Sequence, residues 1–323
     1  GEYGITYDNE VISLINKSRR MGFMVNSVVI TLYNNQVSVD KFIKKLERNG
    51  IKTYIHTFTK GYPTDVDTIV SEEGYGANPY IETTKPLILV NAPGPGSGKL
   101  ATCLSQIYHE NKRGNSVGYS KFETFPVWDL PLKHPVNLAY EAATADLNDV
   151  NMIDPFHLEA YGETTVNYNR DVEIFPVVSA MLSRILGYSP YQSPTDMGVN
   201  MVGNCICDDE AVCEAAKQEI VRRFYEAACE YRQGRADENP MLRIELLMER
   251  LGIGVEDRPV VSAALNKEEE TEMPATAIEL KNGKIIVGKT SSLLGSSAAM
   301  LLNALKEIAG IEDSVDIIDP LVM

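Results

Sequence analysis

The run PLILVNAPGPGSGKLATCLSQIYHENKRG, from Pro86 to Gly114, constrains the fold more than any other part of the sequence. Its apolar segment Leu87–Val90 is typical of a buried strand, and a glycine-rich loop follows at once. The next segment carries one apolar stripe at helical spacing, formed by Leu100, Cys103, Leu104, Ile107 and Tyr108. A strand that enters such a loop and continues as a helix predicts an α/β domain with a P-loop-like element.

The segments before this run repeat the same alternation of strand and helix. Ser27–Tyr33 and Ile51–Phe58 are rich in β-branched residues, and the helical pattern of Val37–Asn49 lies between them. A strand, helix and strand with short connections predict a parallel crossover. A helix over 10–20 and further short strands over 68–71 and 117–125 complete the pattern. Residues 1–130 are therefore predicted to form a three-layer α/β domain.

The remaining chain divides into two further predicted parts. Residues 131–252 show helical periodicity and are expected to form a mainly helical subdomain. The acidic segment Asn266–Pro274 is expected to be a solvated linker or loop. Within 253–323, an Asn282-Gly283 turn predicts a hairpin, followed by a helix over 292–309 and a strand over 314–318. This last part is predicted to be a small ββαβ unit.

The literal phosphate-loop pattern GxxxxGK[ST] occurs at Gly283–Thr290, as GKIIVGKT. Its middle residues are apolar and belong to the predicted hairpin. The N–H groups of a strand alternate in direction, so they cannot converge on one phosphate. This match is therefore interpreted as a hairpin strand.

The glycine-rich loop departs from that pattern, with Pro93 where a glycine is expected and Leu100 where Ser or Thr is expected. Its context nevertheless favours an anion site. Gly94, Gly96 and Gly98 can adopt positive φ, so the N–H groups of Ser97, Gly98 and Lys99 can form a concave nest at a helix N-terminus. A lysine in the first turn is unfavourable unless an anion binds there.

Two alternatives to a phosphate site remain open for this loop. In the first alternative, the loop is only a turn between a strand and a helix. In the second, it is a dinucleotide-binding loop of Rossmann type, with Glu123 contacting the ribose. The Rossmann pattern requires a glycine at position 99, where this sequence has Lys99. The hydroxyl that usually binds Mg²⁺ is missing at position 100, which puts magnesium binding in doubt.

Four polar residues in the following loops are candidates by chemical type. Asp129 ends an apolar run as a metal-binding or water-orienting acid does, and His134 and His157 can transfer protons near neutral pH. Arg170 can clamp a phosphate with two hydrogen bonds. For each of them an ordinary structural role is the alternative.

The net charge of −15 argues against binding to nucleic acid or to a membrane surface, since both need clustered cations. No apolar run approaches the ~18 residues that span a bilayer, and no signal peptide is recognised at Gly1–Tyr7. Five cysteines, an odd number, favour reduced thiols and a cytoplasmic setting. Cys205 and Cys207 are too close together for a CxxC motif, so no metal site is predicted.

Three long strings, APGPGSGKLATCLSQIYHE, KFETFPVWDLPLKHPVNLAYEAATADLNDVNMIDPFHLEAYG and SPTDMGVN, resemble a microbial family known as domain of unknown function 1846. The resemblance covers the whole chain and implies a fold and a cytoplasmic setting, but no reaction. Family members tend to be longer at both ends, so a strand or closing segment is expected to be absent. The terminal unit also resembles deaminase-like folds, but no cysteine follows Cys229 and no histidine follows His157, so the zinc ligands of such enzymes are missing.

These observations together predict a cytoplasmic enzyme that binds a nucleotide or a phosphorylated metabolite at Gly94–Lys99. Phosphoryl transfer or hydrolysis is the expected reaction, with ATP or another nucleotide as the candidate cofactor. A dinucleotide binder of the NAD(P) type and a non-catalytic ligand-sensing or assembly module are the alternatives. Homo-oligomer formation is left open.

Overall fold

The computed structural model describes residues 6–94, 96–121, 126–198 and 200–318. Its contacts divide the chain into two compact units. Unit 1 comprises Gly1–Glu123 with Ile153–Val199, and unit 2 comprises Thr124–Met152 with Asn200–Met323. The contact-based units do not test the predicted division into three domains, 1–130, 131–252 and 253–323, which stays a prediction.

The secondary structure is a mixture of helices and small two-stranded sheets, so the predicted α/β class is confirmed. The helices of the described residues are α1 Tyr7–Arg20, α2 Val37–Arg48, α3 Val66–Ile69, α4 Lys99–Lys112, α5 Pro135–Ala143, α6 Pro155–Tyr161, α7 Asn169–Leu186, α8 Pro194–Met197, α9 Asp209–Arg232, α10 Asn239–Leu251, α11 Pro259–Thr271 and α12 Ser296–Ala309. The strands are β1 Ser27–Ile30, β2 Lys52–Ile55, β3 Asn151–Ile153, β4 Val166–Tyr168, β5 Ala275–Glu279 and β6 Ile285–Lys289. The predicted three layers stay a prediction.

The predicted parallel crossover is present in unit 1. Strands β1 and β2 are parallel, with Ser27 opposite Lys52 and Ile30 opposite Ile55, and α2 connects them. The β-branched residues of both segments suit a pleated, partly buried surface. Ile15, Leu46 and Ile51 form a buried cluster beside this pair.

A larger core in unit 1 joins α4 to α7. Leu104, Ile107 and Tyr108 of α4 are buried, as the apolar stripe of the sequence predicts. They belong to one cluster with Phe175, Val178, Met181 and Leu182 of α7. This core fixes the helix that follows the glycine-rich loop.

Unit 2 contains a helical part and a hairpin part. Leu138 of α5, Ile220 of α9 and Leu247 of α10 belong to one buried cluster, so the predicted helices do bury their apolar faces. Strands β5 and β6 pair antiparallel, with Ala275 opposite Lys289, and the predicted hairpin is confirmed. In the described residues, no helix combines the length and the apolar character needed to cross a membrane.

The strand predicted at Leu87–Val90 is not formed, and this prediction is wrong. The segment is irregular, and Leu87 and Leu89 are 76% and 65% exposed. A strand needs a neighbour for its N–H and C=O groups, and within the described residues β1 and β2 pair only with each other. High β-propensity alone does not create a strand.

Other local predictions also fail, for local reasons. The segment 68–71 was expected to be a strand but overlaps helix α3, because the carboxylate of Asp65 accepts hydrogen bonds from the N–H and hydroxyl of Thr68. The acidic segment Asn266–Pro274 is solvated, as predicted, but is not a loop, since α11 extends to Thr271. Residues 314–318 form no strand. Residues 117–121 are irregular too, and the rest of that predicted strand, 122–125, lies outside the described residues.

Candidate functional site

The glycine-rich loop leads directly into α4, and its backbone changes direction at two glycines with positive φ. Gly96 has φ +68° and Gly98 has φ +79°, as the sequence predicts for both. Gly98 is the N-cap of α4. The Ser97 hydroxyl donates a 2.6 Å hydrogen bond to the carbonyl oxygen of Gly94 and closes the loop on itself.

At two positions of the loop, neighbouring side chains lie so close that only glycine fits without a shift. A Cβ on Gly94 would lie 2.9 Å from the hydroxyl oxygen of Tyr7. A Cβ on Gly98 would lie 3.0 Å from the methyl carbon of Thr31. The loop is therefore held between α1 and the residue that follows β1.

Lys99 is the first residue of α4, and its side chain folds back over the loop. Its Nζ donates a 3.3 Å hydrogen bond to the carbonyl oxygen of Gly94. The first hydrogen bond of helical type runs from the N–H of Thr102 to the carbonyl oxygen of Gly98, at 3.0 Å. The first turn carries no acidic side chain, and Gly98 has no side chain to cap it. The positive end of the helix dipole and the positive charge of Lys99 thus lie at the same end of α4.

Thr31 and His56, neither of them a site residue predicted from the sequence, follow the carboxyl ends of β1 and β2. The Thr31 hydroxyl donates a 3.1 Å hydrogen bond to the carbonyl oxygen of Ser97. The N–H of His56 donates to the carbonyl oxygen of Ile30 at 2.8 Å, which extends the strand pairing by one residue. Ligands of parallel α/β sheets bind outside these strand ends, so position alone could have identified both residues.

The imidazole of His56 is only 4% exposed, and among the described residues its Nε2 has no hydrogen-bond partner. Burial and, to a smaller extent, the nearby His109 together lower the pKa of His56 to about 4. A neutral imidazole is therefore held at the end of β2 near neutral pH.

The literal phosphate-loop match at Gly283–Thr290 lies in the hairpin. Ile285–Lys289 of this match form strand β6, whose residues pair with β5 along its length. The prediction that this match is a hairpin strand is confirmed. The site candidate is the loop that departs from the pattern.

His157 and Arg170, two predicted site residues, lie in unit 1. Arg170 is the second residue of α7. His157 lies on α6, is buried, and has its Nδ1 2.9 Å from the hydroxyl oxygen of Ser193. Its Nε2 lies 3.9 Å from a carboxylate oxygen of Glu163. Both ring nitrogens of His157 therefore face neighbouring polar groups.

Asp154, which is not one of the four polar residues predicted from the sequence, is the fully buried centre of a hydrogen-bond network. Its Oδ1 accepts from the N–H groups of Phe156 and His157 at the start of α6. Its Oδ2 accepts from the N–H and the hydroxyl of Thr195, at 3.1 and 2.6 Å. Four donors satisfy this carboxylate, so it connects α6 to α8 as a structural group.

Asp129 and His134, the other predicted catalytic residues, lie in unit 2. One carboxylate oxygen of Asp129, Oδ1, is buried and has no hydrogen-bond partner among the described residues. The carboxylate lies so close to Gly203 that a Cβ there would be 2.5 Å from Oδ1. Asp129 is therefore packed against a position where no side chain would fit.

His134 meets two residues of α9 that sequence analysis did not connect with it. Its Nε2 lies 3.0 Å from Oδ1 of Asp209 and 3.6 Å from Sγ of Cys213. The Sγ of Cys213 lies 3.7 Å from Oδ2 of Asp209. Burial raises the pKa of the Cys213 thiol, and the negative charge of Asp209 raises it further. The spacing of 75 residues between His134 and Asp209 hides this cluster in the sequence.

An open depression of about 410 Å³ lies at the start of α9 beside this cluster. Cys213 lines it together with Asp208, Glu210, Ala211, Glu214 and Lys217. Three carboxylates and one ammonium group give it a negative surface. Such a surface attracts cations rather than phosphates.

Two family models match the chain. The model described as "Domain of unknown function DUF1846, N-terminal" matches residues 1–252, and the model described as "Domain of unknown function DUF1846, C-terminal" matches residues 256–323. The chain is 61% identical over 320 residues to the UPF0371 protein of Streptococcus thermophilus (strain ATCC BAA-491 / LMD-9), which covers 99% of the chain and 65% of that protein. It is 57% identical over 332 residues to the UPF0371 protein of Clostridium botulinum (strain Alaska E43 / Type E3), covering 100% of the chain and 66% of that protein. The chain thus spans about 65% of the length of the first of these curated relatives.

Proposed function

The chain belongs to the DUF1846 family, and from this premise we propose that it binds the phosphate group of a small molecule at Gly94–Lys99 and catalyses phosphoryl transfer or hydrolysis. The resemblance drawn from the sequence strings is confirmed by this membership. The likeness of the terminal unit to deaminase-like folds stays a prediction.

The observation that carries the proposal is the coincidence of three features at one point of the chain. The positive φ of Gly96 and Gly98 bends the loop backbone, α4 begins there without a side-chain cap, and Lys99 lies over the loop. The first N–H groups of a helix have no acceptor within the helix, and helix N-termini bind anions for this reason. An oxyanion with several oxygens, such as phosphate, can accept from several of them at once.

Lys99 has a defined role in this proposal. It binds as a point charge and stabilises negative charge on phosphate oxygens, and its contact with the Gly94 carbonyl holds it close to the loop. Thr31 keeps the loop in place through Ser97. Neutral His56 is a candidate hydrogen-bonding group at the neighbouring strand end.

The other predicted residues enter the proposal unequally. Arg170 is retained as a phosphate-binding candidate, because it belongs to the same unit as the loop. Asp129 and His134 lie in unit 2 and are given no role at this loop. His157 is left out, because it is buried and hydrogen-bonded to Ser193. The cytoplasmic setting belongs to the same proposal, and the five free cysteines support it.

Binding is tested by thermal shift and calorimetry with inorganic phosphate, pyrophosphate, ATP, GTP, NAD and sugar phosphates, each with and without Mg²⁺. We expect Lys99→Ala to weaken binding of the most stabilising compound about 10- to 100-fold, the effect of losing a hydrogen bond to a charged group. Lys289→Ala is the matched control, because it removes the lysine of the literal but strand-forming match. This control should bind like the unaltered chain.

Three results distinguish the alternatives. If none of these anions stabilises the chain, the proposal is refuted. If NAD binds in preference to ATP, the dinucleotide alternative replaces it. Phosphate release from the tightest-binding compound tests turnover, and tight binding without release identifies a non-catalytic sensing or assembly module.

A further inference from the structure

We propose that His134, Asp209 and Cys213 form a binding site for a thiophilic divalent cation, with Zn²⁺ as the matching ion. The three side chains provide one nitrogen, one oxygen and one sulfur donor. Their candidate ligand atoms all lie within 4.8 Å of one another. The site lies in unit 2 and does not depend on the proposed phosphate loop.

Two of the distances between the donors lie close to the edge lengths of a zinc tetrahedron. With zinc bonds of about 2.0–2.1 Å to nitrogen, 2.0–2.2 Å to oxygen and 2.3 Å to sulfur, those edges are roughly 3.3–3.6 Å long. The nitrogen-to-sulfur distance is 3.6 Å and the sulfur-to-oxygen distance is 3.7 Å. The imidazole nitrogen lies 3.0 Å from Oδ1, the other oxygen of the same carboxylate, because His134 and Asp209 form a hydrogen bond there. A single carboxylate oxygen would bind the ion, so admitting it requires a rotation of the exposed Asp209 side chain.

The local fold preorganises these donors. Asp209 and Cys213 are four residues apart on α9, so they lie on the same face of the helix. The side chain of His134 is only 11% exposed, and the His134 Nδ1 accepts a 3.3 Å hydrogen bond from the N–H of Val136 at the start of α5. This bond directs Nε2 toward α9.

The surroundings favour a cation and leave room for a further ligand. Asp208, Glu210 and Glu214 give the adjoining depression its negative surface. Asp209 is 66% exposed, so a coordination position on its side is open to solvent. Three protein ligands with one open position are the arrangement in which zinc binds water or a substrate oxygen. The thiolate selects Zn²⁺ over Mg²⁺ or Ca²⁺, which prefer oxygen ligands.

Binding changes the protonation of two ligands. The thiol of Cys213 releases its proton to solvent and binds as thiolate, while Asp209 binds as carboxylate. The proton on Nε2 of His134 moves to Nδ1, which frees the Nε2 lone pair for the ion. Metal binding therefore breaks the hydrogen bond from the Val136 N–H to Nδ1, which orients the ring in the metal-free chain.

Cobalt(II) is the probe for this site, because it occupies tetrahedral zinc sites and, unlike Zn²⁺, absorbs visible light when bound. Titration of the reduced 323-residue chain should give one equivalent of bound Co²⁺, with intense visible bands and a near-ultraviolet thiolate-to-cobalt band. Zn²⁺ should displace it. Cys213→Ser should abolish the thiolate band and weaken binding by more than about 100-fold, the upper end of the loss caused by removing outer-shell partners alone.

Two variants keep the test specific. His134→Asn retains an acceptor for the α5 N-cap, so it removes the imidazole donor and leaves the helix start intact. It should fold without metal and bind Co²⁺ weakly. The double variant Cys205→Ser with Cys207→Ser removes two exposed thiols and should keep the full spectrum. The proposal is overturned if the chain gives no thiolate band, or if that band survives Cys213→Ser and disappears in the double variant.

Discussion

The hydroxyl of Thr31 donates a 3.1 Å hydrogen bond to the carbonyl oxygen of Ser97, and the methyl group of the same side chain lies against Gly98. One side chain thus holds the glycine-rich loop at the carboxyl end of β1 by a polar and an apolar contact. The two contacts can be separated by substitution, because valine retains the shape and serine retains the hydroxyl.

Thr31→Val should lower the free energy of unfolding by about 1 kcal/mol, because the Ser97 carbonyl loses its donor. Urea denaturation measures the change. Thr31→Ser keeps the hydroxyl and should lose less. A greater loss in Thr31→Ser than in Thr31→Val would show that the methyl contact, and not the hydrogen bond, holds the loop.

Alanine at Gly98 should be more harmful than alanine at Gly96. Both residues have positive φ, which is unfavourable by roughly 1–2 kcal/mol for an L-residue with a side chain. Only at Gly98 does the added carbon also approach Thr31, whereas at Gly96 it meets no atom within 4 Å from the part of the chain that the structure describes. Chemical unfolding of the two variants should therefore differ, and a Gly96→Ala loss equal to or greater than that of Gly98→Ala would contradict the described contact.

His56 should make the stability of the chain depend on pH. Its pKa is about 4 in the folded chain and about 6.5 when unfolded, so between these values the unfolded chain binds the extra proton. Stability is then fully present above pH 6.5 and is lost as the pH falls toward 4, by up to roughly 3 kcal/mol. The difference in urea midpoint between pH 7.5 and pH 5 should shrink in His56→Gln. An unchanged difference would assign the pH dependence to other groups.

Asp154→Asn should be strongly destabilising, by about 2–3 kcal/mol. Asparagine can still accept from the α6 N–H groups, but its NH₂ would face the N–H and hydroxyl donors of Thr195. The matched control is Asp208→Asn, because Asp208 is the exposed N-cap of α9 and asparagine caps about as well as aspartate. Thermal unfolding should separate the two variants clearly, and similar losses would mean that the Thr195 contacts contribute little.

Much of the fold could be predicted because its signals are local. The stripe on α4, the crossover from β1 through α2 to β2, and the Asn282-Gly283 hairpin each arise from residues near one another in sequence. The strand expected at Leu87–Val90 failed because a strand also requires a partner, and the apolar pattern of the segment does not provide one.

The candidate sites, too, could be predicted only where their residues are close together in the sequence. The glycines and Lys99 of the loop are contiguous, so their role could be proposed from sequence. The cluster of His134, Asp209 and Cys213 could not, because packing of α5 against α9 brings these residues together. Asp154 is a similar case, since its partner Thr195 is 41 residues away.

The exposed run Leu87–Val90 also bears on how the chain behaves in solution. Among the described residues its backbone joins no sheet, and its apolar side chains face solvent. Such a segment is a template for β pairing between molecules. The net charge of −15 opposes that encounter through repulsion, which salt screens. Colloidal stability should therefore fall as ionic strength rises, even where the folding equilibrium is unchanged.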